Sequence, residues 1–446
     1  MARSRLRAAA VAGLTALSLA ALTAAAGAPA AAAPITHDEQ ITFQEWSSYP
    51  AWRQGTHQGT FAIPGVRTGI TMLRPAGTAD YTDPYTGTTK TWAYSTWTSP
   101  VTEVGFDATE LVASWNAETP AGTWIQVELQ GTYNTGGQTP WYVMGRWASG
   151  DGDIKRTTVN RQGDPWSTIW TDTFSIDDAA NGVLLHAYQL RLTLYRAPDQ
   201  WQAPRVWMLG AMSSFVPDRF EVTPSAGGIA WGTELNVARR SQNIHIGEYP
   251  EYDGGGQAWC SPTSTTMVLE YYNRGPSAQD LAWVDPAFED PQVDHAARMV
   301  YDYAYEGAGN WPFNTAYAAS YPGIDAKVTR LHSLDEIERF IKAGMPVITS
   351  QSFLSAELDG ANYGTSGHIF VIVGFTAEGD VIVNDPASSS NDAVRNVYKR
   401  AQFEKIWQRT KRYRANGTVA SGPGGIVYLI KPWWKPWPYV PGSTNW

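Results

Sequence analysis

The chain has 446 residues and one cysteine, Cys260, so it cannot form an internal disulfide. It is also short of positive charge. Lys and Arg number 33 against 42 Asp and Glu, for a formal charge of −9, which argues against nucleic acid or an anionic membrane surface as partner. The seven histidines show neither a His-Glu-x-x-His pattern nor paired Cys/His spacing, and no glycine loop suits a phosphate. No metal and no cofactor are therefore expected. Beyond the N-terminal stretch, no apolar run reaches membrane-spanning length.

That N-terminal stretch reads as a secretory signal peptide over residues 1–33. Arg3, Arg5 and Arg7 form a basic start, Ala8 to Ala26 an apolar run, and small residues near Ala28 and Ala32 suit cleavage. The arginines are not adjacent, so the general secretory route is favoured over a twin-arginine one. Cleavage would remove three arginines and no acid, leaving −12. The expected product is an extracellular protein without a membrane span. In an oxidising compartment a chain that relied on staples would carry paired cysteines, and a lone thiol is an oxidation hazard unless it has a task.

Two textures follow the signal. Over residues 34–225, short stretches rich in Thr, Val, Trp and Tyr alternate with glycine and proline, among them Thr123-Trp-Ile-Gln-Val-Glu-Leu-Gln and Tyr188-Gln-Leu-Arg-Leu-Thr-Leu-Tyr-Arg. Their period of two places one face inward and the other in solvent, which predicts an all-β sandwich or jelly roll. Twelve of the 21 tryptophans fall here. Large aromatics fill sandwich cores, although exposed ones could stack on sugars, so this domain is open to cell-wall material as a partner. The pattern loosens between Phe220 and Val237.

From 236 to 446 helices and strands mix, which predicts an α+β domain. A glycine-rich approach ends at Cys260, and Pro262 with Met267, Val268 and Tyr271 predicts a helix starting at the thiol, where the dipole favours thiolate. Ser333-Leu-Asp-Glu336 is a capping-box pattern, with Gly344 ending that helix. Gly367-His-Ile-Phe-Val-Ile-Val-Gly-Phe and Val381-Ile-Val-Asn-Asp-Pro flank Ala377-Glu-Gly-Asp380 and read as a hairpin. Of the seven histidines only His368 has a carboxylate, Asp385, on a neighbouring strand. A two-residue turn at Glu378-Gly379 would set Asp385 opposite Ile372, four residues or about 13 Å from His368. Contact between them needs an earlier turn, a bulge or strong twist. The aromatic, glycine-rich stretch Asp302 to Tyr317 is either a packed loop or the lining of a substrate groove. Lys431-Pro-Trp-Trp-Lys-Pro-Trp-Pro-Tyr is expected to be an extended tail.

The segments around Cys260, His368 and Asp385, with Gln242 upstream, resemble the nucleophile, base and orienting segments of the bacteriocin-processing-type peptidases. That papain-superfamily family cleaves leader peptides, often after a double glycine. The similarity is to its secreted stand-alone branch and covers about residues 238–432. It implies that Cys260 is the nucleophile, His368 the base and Asp385 the residue orienting it, with Gln242 in the oxyanion hole. Two features depart from the family pattern: Ser261 stands where glycine commonly follows the nucleophile, and the glutamine-to-cysteine spacing is long, which leaves Gln257 as an alternative to Gln242. Asn384 competes with Asp385, because papain relatives use asparagine there.

The expectation is a multidomain chain, an all-β N-terminal domain ahead of a papain-like cysteine peptidase, acting on a peptide or protein substrate through a thioester. The same groups could instead transfer the acyl unit to an amine or open a cell-wall peptide. A non-catalytic wall- or glycan-binding role is the remaining alternative.

Overall fold

The computed structural model describes residues 39–446, and the expected signal segment lies outside them. Among the described residues no helix is long and apolar enough to cross a membrane. The N-terminal half consists of two seven-stranded antiparallel sheets. In the first, strand Arg205–Phe215 is flanked by Glu110–Glu118 and Gln40–Trp46. In the second, Leu185–Arg196 lies between Thr123–Tyr133 and Thr89–Thr98. Leu111, Ala113 and Trp115 of the first sheet and Ile125, Val127, Leu129, Leu190 and Leu192 of the second share one buried core.

Alternation sets this packing, yet the outer face of Thr123–Tyr133 is less open than its pattern predicts. Trp124 is buried beneath Tyr195, whose ring stacks on it at 3.8 Å, and Glu128 is buried in a two-pronged pair with Arg191 at 2.7 and 2.8 Å. Cross-strand partners thus cover polar and aromatic positions that period two assigns to solvent. Trp46, Trp52, Trp92, Trp97, Trp115, Trp124 and Trp147 are all buried, so more than half of this region's tryptophans serve packing.

The C-terminal half is built on a third antiparallel sheet, in the order Ile324–Arg330, Ile426–Pro432, Val347–Phe353, Thr365–Phe375, Val381–Asn384, Arg395–Tyr398. Strand Thr365–Phe375 serves two cores. Ile369, Val371 and Val373 pack with Met267 and Val268 of the helix Cys260–Tyr271. Phe370 and Ile372 pack with the helices Leu334–Lys342 and Arg400–Gln408.

Two local expectations are corrected. The Leu334–Lys342 helix begins after Ser333, but the Ser333 side chain makes no cap. Glu336 reaches past it to accept from the His332 N–H at 2.8 Å, and Glu404 accepts the orphan Leu334 N–H at 2.7 Å. A carboxylate from another helix has displaced the local cap. At the other end Gly344 adopts φ +67°, and Gly344 and Met345 donate to the Ile341 and Phe340 carbonyls, as a left-handed helix stop requires. Lys431 and Pro432 belong to a strand rather than to the tail. The strand Val347–Phe353 pairs with their strand only as far as Leu429, so Pro432 needs no donor on that side.

The two halves form one compact unit and share a hydrophobic core that runs through both. Phe313 sits against Trp147 and Trp115, with ring centroids 5.3 and 6.1 Å away. Buried Arg156 donates to the Arg298 carbonyl at 2.7 Å, and Asp302 accepts from Thr158 N and Oγ1 at 3.0 and 2.8 Å. Asp172, on a turn of the N-terminal half, accepts the Trp311 N–H at 2.8 Å. Burial pushes its pKa up to about 6 against that hydrogen bond. These contacts tether the 302–311 segment, one wall of the site described next.

Candidate active site

Cys260 is the first residue of its helix. Trp259 ahead of it is buried, with its indole N–H donated to the Tyr252 carbonyl at 2.6 Å, which holds the approach to the thiol. The first N–H groups of a helix have no intrahelical partner, so the backbone at the thiol presents free donors. The thiol is half-buried and opens into a cavity of about 700 Å³ that His368, Gln242, Gln257, Tyr305 and Tyr363 also line.

His368 meets Asp385, and the register explains how. The hairpin pairs Phe375 with Val381 and Gly374 with Ile382, then shifts by one residue so that Ile372 faces Val383 and Val371 faces Asn384. The turn is thus centred on Glu378, half a residue earlier than a Glu378-Gly379 pair would place it, and a bulge at Val373 adds a further step. Asp385 therefore falls beside Phe370 instead of Ile372. The remaining offset is two residues, on the same face as His368, a span the two side chains close. His368 Nε2 lies 2.9 Å from Asp385 Oδ1.

With Nε2 engaged, Nδ1 is the ring nitrogen left for the thiol, and the Cys260 side chain lines the same cavity. Burial would depress the imidazole, but hydrogen bonds and charge from Asp385 and Cys260 outweigh it and push its pKa up to about 10. Asp385 is itself almost fully buried, which would raise its pKa. His368, the Ala387 N–H and the Tyr363 hydroxyl reverse this and hold the carboxyl below its ordinary value. Oδ1 also accepts from Ala387 N at 2.9 Å, and Oδ2 accepts from Tyr363 and Tyr398, each at 2.9 Å. Asn384 points elsewhere, donating to the Ala238 carbonyl at 2.9 Å.

Gln242 is buried and fastened to the same loop. Its N–H donates to the Pro386 carbonyl at 2.8 Å, and Asn243 beside it donates to the Ala387 carbonyl at 2.6 Å. Gln242 Nε2 donates one hydrogen to the Gln257 carbonyl at 2.8 Å, which leaves the second for the cavity. Gln257 is exposed, and it is its backbone that holds Gln242. Ser261 is fully buried with its hydroxyl 2.9 Å from Tyr428, so the residue in glycine's usual place is spent on packing behind the helix.

Reading the sequence alone missed Tyr363 and Tyr398. Tyr363 also sets its ring edge-on to His368, with centroids 5.7 Å apart and planes at 85°. Neither tyrosine lies in a motif, and no local signal marks them. The aromatic stretch divides: Tyr305, Gly309 and Trp311 line the cavity, whereas Asp302 anchors the segment. Among the described residues, His245, Glu248 and Asp294 bring possible ligand atoms within 4.8 Å of one another. His245 Nδ1 lies 2.6 Å from Glu248, a hydrogen-bond distance shorter than two ligands of one ion keep, so the group is read as a buried ion cluster. Burial disfavours its imidazolium, but the two carboxylates raise the pKa of His245 overall.

Residues 42–214 match the family model described as the peptidase C39 N-terminal domain. Residues 234–415 match the peptidase C39-like family. No curated protein matches the chain. A crystal structure from Bacillus anthracis, provisionally described as a C39-like peptidase, aligns at 19% identity over 45% of this chain and 98% of its own, with a TM-score of 0.27. Two peptidase C39 models, one for the N-terminal domain and one C39-like, thus match the two halves of the chain, which is similar in both to C39 peptidases.

Proposed function

We propose that this protein is an exported cysteine peptidase in which Cys260 attacks, His368 transfers the proton and Asp385 orients the histidine. The observation that carries the reading is the His368–Asp385 contact at 2.9 Å, which leaves the second imidazole nitrogen for a thiol at a helix start. A peptide carbonyl in the cavity would meet the Cys260 sulfur. The sulfur–carbon bond forms, and charge gathers on the carbonyl oxygen. The Cys260 N–H and the second Gln242 Nε2 hydrogen are the candidate donors to that oxygen. The carbon–nitrogen bond then breaks as His368 Nδ1 gives its proton to the departing amine, leaving a thioester. Water, deprotonated by the same nitrogen, cleaves the thioester to a carboxylate and restores the thiol. Export rests on the basic and apolar pattern of residues 1–33.

The test is alkylation of Cys260 with iodoacetamide near pH 5.5, in the native protein and in His368→Ala. With His368 placed to take the thiol's proton, rapid labelling is expected, and the substitution should slow it about 100-fold. Slow labelling that the substitution leaves unchanged would sink the ion-pair reading. For the oxyanion role, Gln242→Ala is expected to lower kcat by about 10²–10³-fold, the range for loss of one such donor. KM should change little, and Gln257→Ala should remain within about threefold of the native rate, since its backbone carbonyl rather than its side chain holds Gln242. Reversal of the two effects in steady-state assays would exchange their assignments.

A further inference from the structure

The cavity around Cys260 and His368 is lined by a single carboxylate, Asp253, and among the described residues by no lysine or arginine. A thiolate–imidazolium pair is neutral as a whole and Asp385 behind it is negative, so the cavity carries net negative charge. Asp253 is held there by an unusual turn. Its φ is +60°, and Gly254 and Gly255 follow at +74° and +94°. Three successive left-handed residues are costly for anything but glycine, and a Cβ on Gly255 would lie 2.9 Å from the Glu248 carbonyl oxygen. The turn fixes the carboxylate at the cavity wall. Tyr305, on the tethered 302–311 wall, lines the same cavity as Asp253 and Cys260.

The two carboxylate oxygens are not equivalent. Oδ2 accepts the Ala308 N–H at 3.0 Å, and Oδ1 accepts no hydrogen bond from the described residues. One free oxygen suits a point charge with rotatable donors and does not offer the two parallel acceptors that a guanidinium fork uses.

We propose that Asp253 is a specificity-determining residue that selects substrates carrying a primary ammonium, on a lysine-type side chain or at a free N-terminus, close to the bond cleaved. This rests on the peptidase reading above. The experiment uses peptide pairs that differ only in whether one amine is free or acetylated. One series varies the amine along lysine-type side chains and another varies the N-terminus, so the two series distinguish the two sources. The native protein is expected to favour the free amine by about 10–100-fold in kcat/KM, the range of a charge-assisted hydrogen bond. Arginine in place of lysine should gain less.

Asp253→Asn keeps the shape and can still accept from Ala308, and it should bring each free-amine peptide to within about threefold of its acetylated partner. A loss that falls equally on both members of every pair would mean that Asp253 only supports the loop, and would overturn the inference. So would a native protein with no preference. Binding of the same pairs to Cys260→Ala protein, followed by calorimetry, separates the two readings. Preferential binding without any turnover by the native protein overturns the peptidase reading alone, and equal binding overturns the Asp253 assignment alone.

Discussion

Cys260→Ala is expected to reduce peptide hydrolysis by about 10⁵–10⁶-fold, to the level that binding and oxyanion donors sustain without a nucleophile. No other residue can replace it, because the chain holds no second thiol. Ser261, the adjacent hydroxyl, is fully buried against Tyr428 and cannot enter the cavity. The side chain is half-buried and small, so the melting temperature should move by no more than a few degrees. The measurement is steady-state cleavage of a peptide library alongside thermal unfolding. Cleavage within tenfold of the native rate, in a protein of native stability, would remove Cys260 from the chemistry.

Asp385→Asn is expected to lower kcat by about 10³–10⁴-fold and to move the alkaline limb of the pH profile. The first effect follows from the hydrogen bond to His368 Nε2, which sets the ring's tautomer and orientation. The second follows from the balance at the imidazole. Burial depresses it, and contacts with Asp385 and Cys260 raise it to about 10 from the ordinary 6.5. A raised folded-state pKa stabilises the protein fully below about pH 6.5, and that contribution is lost as pH rises through about 10. The native protein should therefore lose both activity and this share of stability toward pH 10. In Asp385→Asn burial is opposed by Cys260 alone, so the limb should shift toward neutrality and the decline in melting temperature between pH 6.5 and 10 should flatten. An unshifted limb would show that Asp385 does not control the imidazole. Tyr363 and Tyr398 would still find an acceptor in the asparagine, so the variant should fold.

Cys260, His368 and Asp385 were legible as candidates because each lies in a strongly patterned stretch: Cys260 between a glycine-rich approach and a helical repeat, His368 and Asp385 at the ends of apolar strands. Their contact was not legible. Register along a hairpin depends on which turn closes it and whether a residue bulges, and both are decided by packing on two faces at once. An earlier turn centre and a one-residue bulge at Val373 together change an unbridgeable four-residue offset into a two-residue one. The same holds for Gln242, whose long spacing from Cys260 looked unfavourable. Spacing counts residues, whereas Gln242 is tied across the fold to the Pro386 and Gln257 carbonyls.

By itself, the sequence determined the change from strand-rich to mixed texture, the helix beginning at the only thiol, and the strands that carry the histidine and the acid. These depend on residue type and period, which act over a few neighbouring positions. Only the tertiary structure decided that Tyr363 and Tyr398 complete the shell around Asp385 and that Glu404 rather than Ser333 meets the first helical N–H. It alone decided that Thr158 and Asp172 of the N-terminal half brace a wall of the cavity more than a hundred residues away in the chain. The reason is common to all of them: a buried hydrogen-bonding group must find a partner, and the partner is whatever the packed chain brings within about 3 Å, however distant in sequence.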